Sequence, residues 1–168
     1  MVFKEEVHRI LRSFQQTLPT FPDGRIDFCT ADTAPVLTIF VCYKQSMLLL
    51  KRSAKVSTYK QKWNTVAGYL DELKPLKEKI LEELREETGI GNNDIASYHL
   101  GEPYTFTDEL AKKTWIVHPV LVILNHKPTI TLDWEHTEYR WIKPSELAKF
   151  DHVPQLKRSL SHVQQWLP

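Results

Sequence analysis

Cysteine is scarce in this sequence, and its two occurrences exclude several kinds of site. Only Cys29 and Cys42 occur among the 168 residues, and their spacing matches neither a zinc-binding cluster nor a redox pair. Cys42 lies within an apolar run, so we expect a buried free thiol there rather than a disulfide partner. The cysteines therefore predict neither a metal centre nor a disulfide scaffold.

Long apolar runs and an excess of one charge are also missing. No stretch reaches the roughly 20 apolar residues of a membrane-spanning helix, and the start MVFKEEVHRILRSF is too charged for a signal peptide. The formal net charge is +1, so the composition indicates neither a nucleic acid nor an anionic membrane as partner. We expect a cytoplasmic protein.

The histidines do not form a metal-binding pattern, because no two of them stand three or four residues apart. They are His8, His99, His118, His126, His136, His152 and His162. Hydrophobic residues make up 42% of the chain and charged residues 26%, with no repeats. This composition suits a single globular domain over residues 1–168 with a sizeable core.

Apolar periodicity predicts helices at both ends and strands between them. An amphipathic helix is expected within residues 1–20, and a β-hairpin within 36–53 that turns at 44–46. Further strands are expected over KWNTVAGYLDE, YHLGEPYTFTDE, KKTWIVHPVLVIL and TEYRWI, a short helix over KPSELAKF, and a terminal helix over residues 154–167. Strands and helices interleave without regular βαβ spacing, which favours an α/β fold with a mixed sheet between helices. The two terminal helices either cap the sheet or form a homodimer interface.

A strongly charged helix is predicted over residues 75–88. Pro75 suits its first position, and Gly89 suits the left-handed residue that ends a helix. Its apolar residues gather on one side of the helix, and a group of acidic residues gathers on another.

The acidic group consists of Glu83, Glu86 and Glu87, and no basic partner is expected on the same face. Like charges at such spacing cost roughly 0.2–0.5 kcal/mol per pair on an isolated helix. Either the face is simply solvated, or a divalent cation offsets the repulsion. Mg²⁺ fits the second interpretation, because it prefers carboxylate oxygens and is often completed by substrate phosphates.

The stretch from Gly68 to Ile90 resembles the signature of the Nudix hydrolase family. That signature is Gly, five residues, Glu, seven residues, then Arg-Glu-aliphatic-x-Glu-Glu-x-Gly-aliphatic. The matching positions are Gly68, Glu83, Leu84, Glu86, Glu87, Gly89 and Ile90. Two positions depart: Lys74 stands where the family has Glu, and Glu82 where it has Arg. Those positions pair in the family, so we expect a swapped ion pair between Lys74 and Glu82; decay of the site is the alternative.

The resemblance implies a Nudix-type α/β/α sandwich and an enzyme that cleaves a nucleoside diphosphate linked to another group. Mg²⁺, or Mn²⁺ in its place, would be held by Glu83, Glu86 and Glu87, with the Gly68 carbonyl as a further ligand. Glu83 and Glu86 are the catalytic candidates on the helix. A small-molecule nucleotide is the expected substrate.

Two further site residues are predicted from less specific patterns. Similar proteins take the general base either from a glutamate of the helix or from a later acid. The segment DWEHTEYRW supplies Asp133, Glu135 and Glu138, and the resemblance favours Glu138, for which an exposed strand charge is the alternative. The resemblance also suggests Arg52 as the cation that binds phosphate, although Lys51 and Arg52 fit ordinary strand-end charges as well.

The substrate and the activity leave alternatives open. Pro103 and Tyr104 match neither the ADP-ribose nor the dinucleoside polyphosphate pattern cleanly. Because the motif departs at two positions, a catalytically impaired nucleotide-binding module is the main competing hypothesis, and an isomerase of allylic diphosphates is a weaker one. The aromatic residues that suit base stacking, or the core, are Trp63, Tyr69, Tyr104, Phe106 and Trp115.

Overall fold

The computed structural model describes the backbone of residues 2–168 and the side chains of residue 5 and residues 7–168. Its α-helices are α1 (Val2–Thr17), α2 (Leu76–Thr88) and α3 (Leu156–Ser161). Its strands are β1 (Thr33–Tyr43), β2 (Ser46–Arg52), β3 (Trp63–Asn64), β4 (Val66–Tyr69), β5 (Ile95–Leu100), β6 (Tyr104–Asp108), β7 (Lys113–Leu124) and β8 (His136–Ile142).

The strands form one mixed sheet. Its order is β3-β2-β1-β7-β5, while β4 also pairs with β1, β6 with β7 and β8 with β2. Strands β1 and β7 run parallel, and the other strand pairings are antiparallel. The predicted hairpin is confirmed, since Tyr43 pairs with Ser46 and Lys44 takes a positive φ of 51° in the turn. Strand β1 pairs first with β4, over residues 36–39, and then with β2 at Cys42 and Tyr43.

Two hydrophobic clusters cover the two faces of the sheet. Successive strand residues point to opposite faces, so Leu48 and Leu50 of β2 pack on the side of α1 and α2, while Met47 and Leu49 pack on the side of α3. This layered arrangement confirms the predicted α/β/α sandwich with a mixed sheet. Cys42 is a buried free thiol, as expected.

The helices largely follow the sequence pattern. The apolar residues Val7 and Leu11 of α1 are buried in the core of this chain, so α1 covers the sheet. Pro75 precedes α2 as its cap residue, with ψ at 131°, and does not open the helix as expected. Gly89 ends α2 with φ at 75°, as predicted.

Three expected elements are divided, and the first is the strand predicted over residues 62–72, which becomes β3 and β4. The strand predicted through residues 98–109 becomes β5 and β6, and between them the chain passes so close to the C-terminal segment at Gly101 that a Cβ there would lie 2.8 Å from the carbonyl oxygen of His162. The helix predicted over 154–167 is wrong in extent: α3 ends at Ser161, and a short 3₁₀ turn follows at Gln164–Trp166. The interruption buries Val163 completely in the second cluster.

Within residues 2–168, the structure contains no helix with the length and apolar character needed to cross a bilayer.

Candidate active site

The three acidic residues of α2 are not equivalent in the fold. Glu83 and Glu87 are buried, with 8% and 4% of their surface exposed, whereas Glu86 is exposed. Ionised carboxylates are rarely buried unless something compensates their charge. A simply solvated acidic face therefore does not describe Glu83 and Glu87.

Gly68 lies directly against the Glu83 carboxylate. A Cβ added at Gly68 would lie 2.2 Å from Cδ of Glu83 and 2.4 Å from each carboxylate oxygen. Only glycine leaves this space free for the carboxylate. The first residue of the motif and its first matching glutamate, fifteen positions apart, are thus brought into contact by β4 and α2.

Glu87 is the most deeply buried acid of the group, and its Oε2 has no hydrogen-bond partner among the described residues. Burial raises its pKa well above the usual value, and the charges of Glu83, Glu135 and Asp133 raise the pKa further, against a hydrogen bond from the backbone of Ala67. Such a carboxylate is suited to receive either a proton or a cation.

A basic partner that the sequence reasoning missed is Lys79, four residues before Glu83. Its ammonium lies 2.9 Å from Oε1 of Glu83, 3.3 Å from Oε2 of Glu82 and 3.1 Å from Oδ1 of Asp71. The expectation that the acidic face has no basic partner is therefore wrong. Burial lowers the pKa of Lys79, but the charges of Glu83 and Asp71 outweigh that effect and raise it. The i, i+4 spacing of Lys79 and Glu83 was the available signal.

The two positions that depart from the motif are adjacent in the structure. Nζ of Lys74 lies 3.0 Å from Oε2 of Glu82 and 2.8 Å from Oε2 of Glu72. Burial opposes ionisation of Glu82, yet the hydrogen bond from Lys74 and the charge of Lys79 lower its pKa overall. The geometry required for the swapped ion pair is present.

The acids of α2 open into a cleft with a volume of about 670 Å³, which also contains Arg52 and Glu135. Two guanidinium nitrogens of Arg52, Nε and Nη2, donate to the carbonyl of Thr58 at 3.1 and 3.0 Å. Arg52 therefore reaches the same cleft as Glu83, Glu86 and Glu87, while it also anchors the loop between β2 and β3.

The structure does not bring Glu138 to this cleft. Glu138 pairs with Lys51 in the β2–β8 ladder and contacts the side chains of Lys51 at 3.9 Å and Arg140 at 2.6 Å. Lys51 shares the α3 face of the sheet with Leu49, so Glu138 also lies on the face opposite α2. Glu135, in the loop before β8, lines the cleft instead. Burial and the charge of Asp133 raise the pKa of Glu135, and Arg52 partly opposes them.

His136 is a second residue that the sequence reasoning did not place in the site. A register shift between Lys51 and Arg52 pairs Arg52 with His136, so the bulge turns this imidazole toward α2. Its Nδ1 lies 2.9 Å from Oδ1 of Asp133, and its Nε2 lies 3.7 Å from Oε2 of Glu87. Burial lowers its pKa, which favours the neutral ring. The sequence gives no sign of this bulge, so the orientation of His136 could not be predicted from it.

Aromatic side chains form another part of the cleft lining. Those that line it are Tyr59, Tyr69, Tyr104, Phe106, Trp115 and Trp134. Of the earlier candidates, Trp63 lies elsewhere, packed edge-on against Phe150 with ring centroids 5.2 Å apart. Trp134, which the sequence reasoning did not select, is 63% exposed beside Glu135.

The donor set fits a hard divalent cation in its chemistry. In the part of the chain that the structure describes, no three acidic, histidine or cysteine side chains are already gathered closely enough to enclose an ion. Lys79 is the cation that contacts Glu83 in this arrangement. Mg²⁺ or Mn²⁺ would nevertheless use Oε2 of Glu87, which has no hydrogen-bond partner among the described residues, together with Glu83 and the exposed Glu86. The backbone of Gly68 lies against the Glu83 carboxylate and completes this set.

A family model described as the NUDIX domain matches residues 32–163. The chain therefore belongs to the Nudix hydrolase family, and it is an enzyme of that family. The nucleoside triphosphatase NudI of Escherichia fergusonii is 23% identical over 123 residues, which cover 68% of this chain and 84% of the relative.

Solved structures share the fold at low sequence identity. The Ap4A hydrolase binary complex of C. elegans is 18% identical with a TM-score of 0.64, and the match covers 80% of this chain and 97% of the other. The NUDIX domain of Shewanella oneidensis NrtR, complexed with ADP ribose, is 10% identical with a TM-score of 0.68, and the match covers 94% of this chain and 98% of the other. Both matches support the fold.

Proposed function

We propose that this protein is a divalent-metal-dependent pyrophosphohydrolase that cleaves a nucleoside diphosphate linked to another group. The observation that carries the proposal is Glu87, a buried carboxylate with one oxygen that has no hydrogen-bond partner among the described residues. It lies beside Glu83 in a cleft that also contains Arg52. Hydrolysis adds water across the bridge, so a P–O bond forms at the attacked phosphorus, the bridging P–O bond breaks, and two phosphate monoesters leave.

Glu83, Glu86 and Glu87 would hold the cation, with the Gly68 carbonyl as a further ligand, and Mg²⁺ is the expected ion, with Mn²⁺ as a substitute. When bound, such an ion neutralises phosphate oxygens and lowers the pKa of a coordinated water. Oxygen donors of this type are the ones that Mg²⁺ prefers. Glu86 is exposed at the cleft and stays accessible to solvent and to substrate.

Glu135 is the general base in this proposal, in place of Glu138. Its carboxylate accepts a proton from the attacking water. Burial and Asp133 raise the pKa of Glu135, and a base works best when its pKa lies near the working pH. Asp133 and His136 hold each other through the 2.9 Å contact of Oδ1 and Nδ1, which orients the loop that carries Glu135.

Substrate binding is assigned to the charged and aromatic parts of the same cleft. Arg52 lines the same cleft as the acids of α2, so its guanidinium would neutralise the charge of a phosphate group bound there. Tyr69 and Trp115, with ring centroids 6.1 Å apart, form an aromatic wall on which a nucleobase can stack. The names of the similar proteins mention nucleoside triphosphates, Ap4A and ADP ribose, which all contain phosphoanhydride bonds.

The test is turnover of a substrate panel with MgCl₂, MnCl₂ or EDTA. The panel contains ADP-ribose, nucleotide sugars, dinucleoside polyphosphates and nucleoside triphosphates, and chromatography identifies the products. Wild type is compared with Glu87→Gln and with Glu78→Gln, an exposed acid of the same helix. We expect metal-dependent turnover that falls about a hundredfold or more in Glu87→Gln only. Turnover that persists in EDTA would contradict the proposal.

A catalytically impaired nucleotide-binding module is the second candidate. Its supporting observation is the contact of Lys79 with Glu83, which places a protein cation on one of the proposed metal ligands. Under this hypothesis the panel yields no product, while isothermal titration detects a nucleotide that binds to wild type and Glu87→Gln with the same affinity.

A further inference from the structure

Lys79 is enclosed by acids from two different elements. Only 6% of its side chain is exposed. Glu82 and Glu83 contact it from α2, and Asp71 contacts it from the loop between β4 and α2. A buried ammonium with three carboxylates within 3.3 Å balances their charge and ties the loop to the helix.

The position of Lys79 compensates for the altered motif. Where the Nudix signature has Arg, this chain has Glu82, so the change removes a cation and adds an acid at the edge of the site. Lys79 lies one turn earlier on the same helix, and its Nζ reaches Oε2 of Glu82 at 3.3 Å. Lys74 contacts the same Oε2 at 3.0 Å. A positive charge is thus restored next to Glu83 from another position.

Glu83 has two close neighbours. The backbone of Gly68 approaches its carboxylate at a distance that leaves no space for a Cβ. The ammonium of Lys79 lies 2.9 Å from its Oε1. A divalent cation that approaches Glu83 must therefore share this carboxylate with a fixed positive charge a few ångströms away, and like charges repel most strongly where water is excluded.

We propose that Lys79 is an internal counter-cation of the acidic centre: it holds Glu83 against Gly68 and competes with the divalent cation for that carboxylate. This inference rests on the proposed metal dependence. Lys79 acts here as a positioning residue, because it contacts a ligand of the ion and not the substrate. Its charge makes the resting site a weak metal site, which substrate phosphates then complete.

The experiment measures Mn²⁺ binding to the full-length chain by electron paramagnetic resonance, with no substrate present. The proteins are wild type, Lys79→Met, Lys79→Arg and Lys77→Met, an exposed lysine of the same helix. We expect Lys79→Met to bind Mn²⁺ about tenfold or more tightly than wild type, because the repulsion is removed. Lys79→Arg and Lys77→Met should keep the affinity of wild type.

Thermal unfolding in EDTA and in saturating MnCl₂ gives a second readout. In Lys79→Met, Mn²⁺ takes over the lost positive charge, so it should raise the Tm more than it does in wild type. A merely structural lysine predicts the same Mn²⁺-induced rise in both proteins. Equal rises together with unchanged Mn²⁺ affinity would overturn the proposal and leave the metal-dependent function intact.

If Lys79→Met folds poorly, a second pair of variants tests the same competition. Glu82→Gln removes one acid that faces the ammonium, and Lys79→Met with Glu82→Gln leaves the net charge of the chain as in wild type. We expect the double variant to bind Mn²⁺ more tightly than Glu82→Gln alone; equal or weaker binding contradicts the competition. If none of these proteins binds Mn²⁺, this inference fails; the metal-dependent function fails with it only if turnover of the substrate panel also persists in EDTA.

Discussion

Glu135 and Glu138 are three residues apart in the chain, yet their side chains lie in different surroundings. Glu135 lines the cleft, whereas Glu138 contacts Lys51 and Arg140 on the α3 face. Glu138 belongs to β8, where the alternation of strand side chains places it with Lys51, while Glu135 lies in the loop before that strand. Only one of them is therefore in a position to serve as a base for the proposed reaction.

This separation predicts different effects of the two matched substitutions. Glu135→Gln removes the proposed base but keeps the size of the side chain, so kcat should fall about a hundredfold or more with little change in KM. Glu138→Gln should keep the activity of wild type. Steady-state kinetics on the best substrate of the panel tests both, and a larger loss in Glu138→Gln would reverse our assignment.

Gly68→Ala should damage the site by direct overlap. The new methyl group would lie 2.2 Å from Cδ of Glu83, so the carboxylate or strand β4 must move. Overpacking of this kind costs about 1–3 kcal/mol in the free energy of unfolding, and displacement of Glu83 should also weaken Mn²⁺ binding. Urea unfolding and Mn²⁺ titration measure these effects.

Gly91→Ala is the matched control for that substitution. The added Cβ would lie 3.7 Å from the nearest side-chain atom, Oδ2 of Asp94, and the φ of Gly91 is −106°, which alanine adopts readily. We expect a stability change within about 0.5 kcal/mol and no effect on Mn²⁺ binding. Equal damage in both variants would show that overlap with Glu83 is not the cause.

Lys74 and Glu82 should show a measurable but small coupling energy. Their side chains are 23% and 33% exposed, so solvent screens the 3.0 Å contact. A double-mutant cycle with Lys74→Met and Glu82→Gln should give about 0.2–1 kcal/mol in urea unfolding. A coupling energy of zero would contradict the swapped ion pair.

The single charge reversals Lys74→Glu and Glu82→Lys should each lower the stability, and the exchange of both charges should restore the wild-type stability only in part. In the double variant Lys74→Glu with Glu82→Lys, the new acid would lie beside Glu72 and the new lysine beside Lys79. These like-charge contacts offset the restored pair. Full recovery of stability in urea would show that Glu72 and Lys79 do not interact with the pair.

Cys42 should make the stability of the protein depend on alkaline pH. Burial raises the pKa of its thiol from the ordinary 9.0 to about 12. The unfolded thiol loses its proton above its ordinary pKa while the folded thiol keeps it, so stability is lost as pH rises through that window. Between about pH 8 and about pH 10, wild type should lose about 1.4 kcal/mol relative to Cys42→Val. If the curves of unfolding free energy against pH run parallel for wild type and Cys42→Val, this prediction is wrong.

Local sequence determined the helix of the site and the family. Residues 76–88 are good helix formers bounded by Pro75 and Gly89, so the spacing of Glu83, Glu86 and Glu87 on α2 follows from the chain alone. Two β-rich runs joined by a short turn predicted the hairpin of β1 and β2 for the same reason, since both signals depend on residues close in sequence. The helix predicted over 154–167 became α3 and a 3₁₀ turn, and Val163 between them packs into the second cluster against residues that are distant in sequence.

The tertiary structure decided which charged groups meet. Lys79 contacts Asp71 because β4 and α2 are joined by a loop that folds back, and the helix pattern holds no information about that loop. The choice of Glu135 over Glu138 depended on where β8 begins, because Glu138 lies in the strand on the α3 face while Glu135 lies in the preceding loop and lines the cleft. A motif fixes spacing along the chain, but burial and charge balance arise from elements that are distant in sequence, so only the packed fold shows that Glu83 is shared between Gly68 and a lysine.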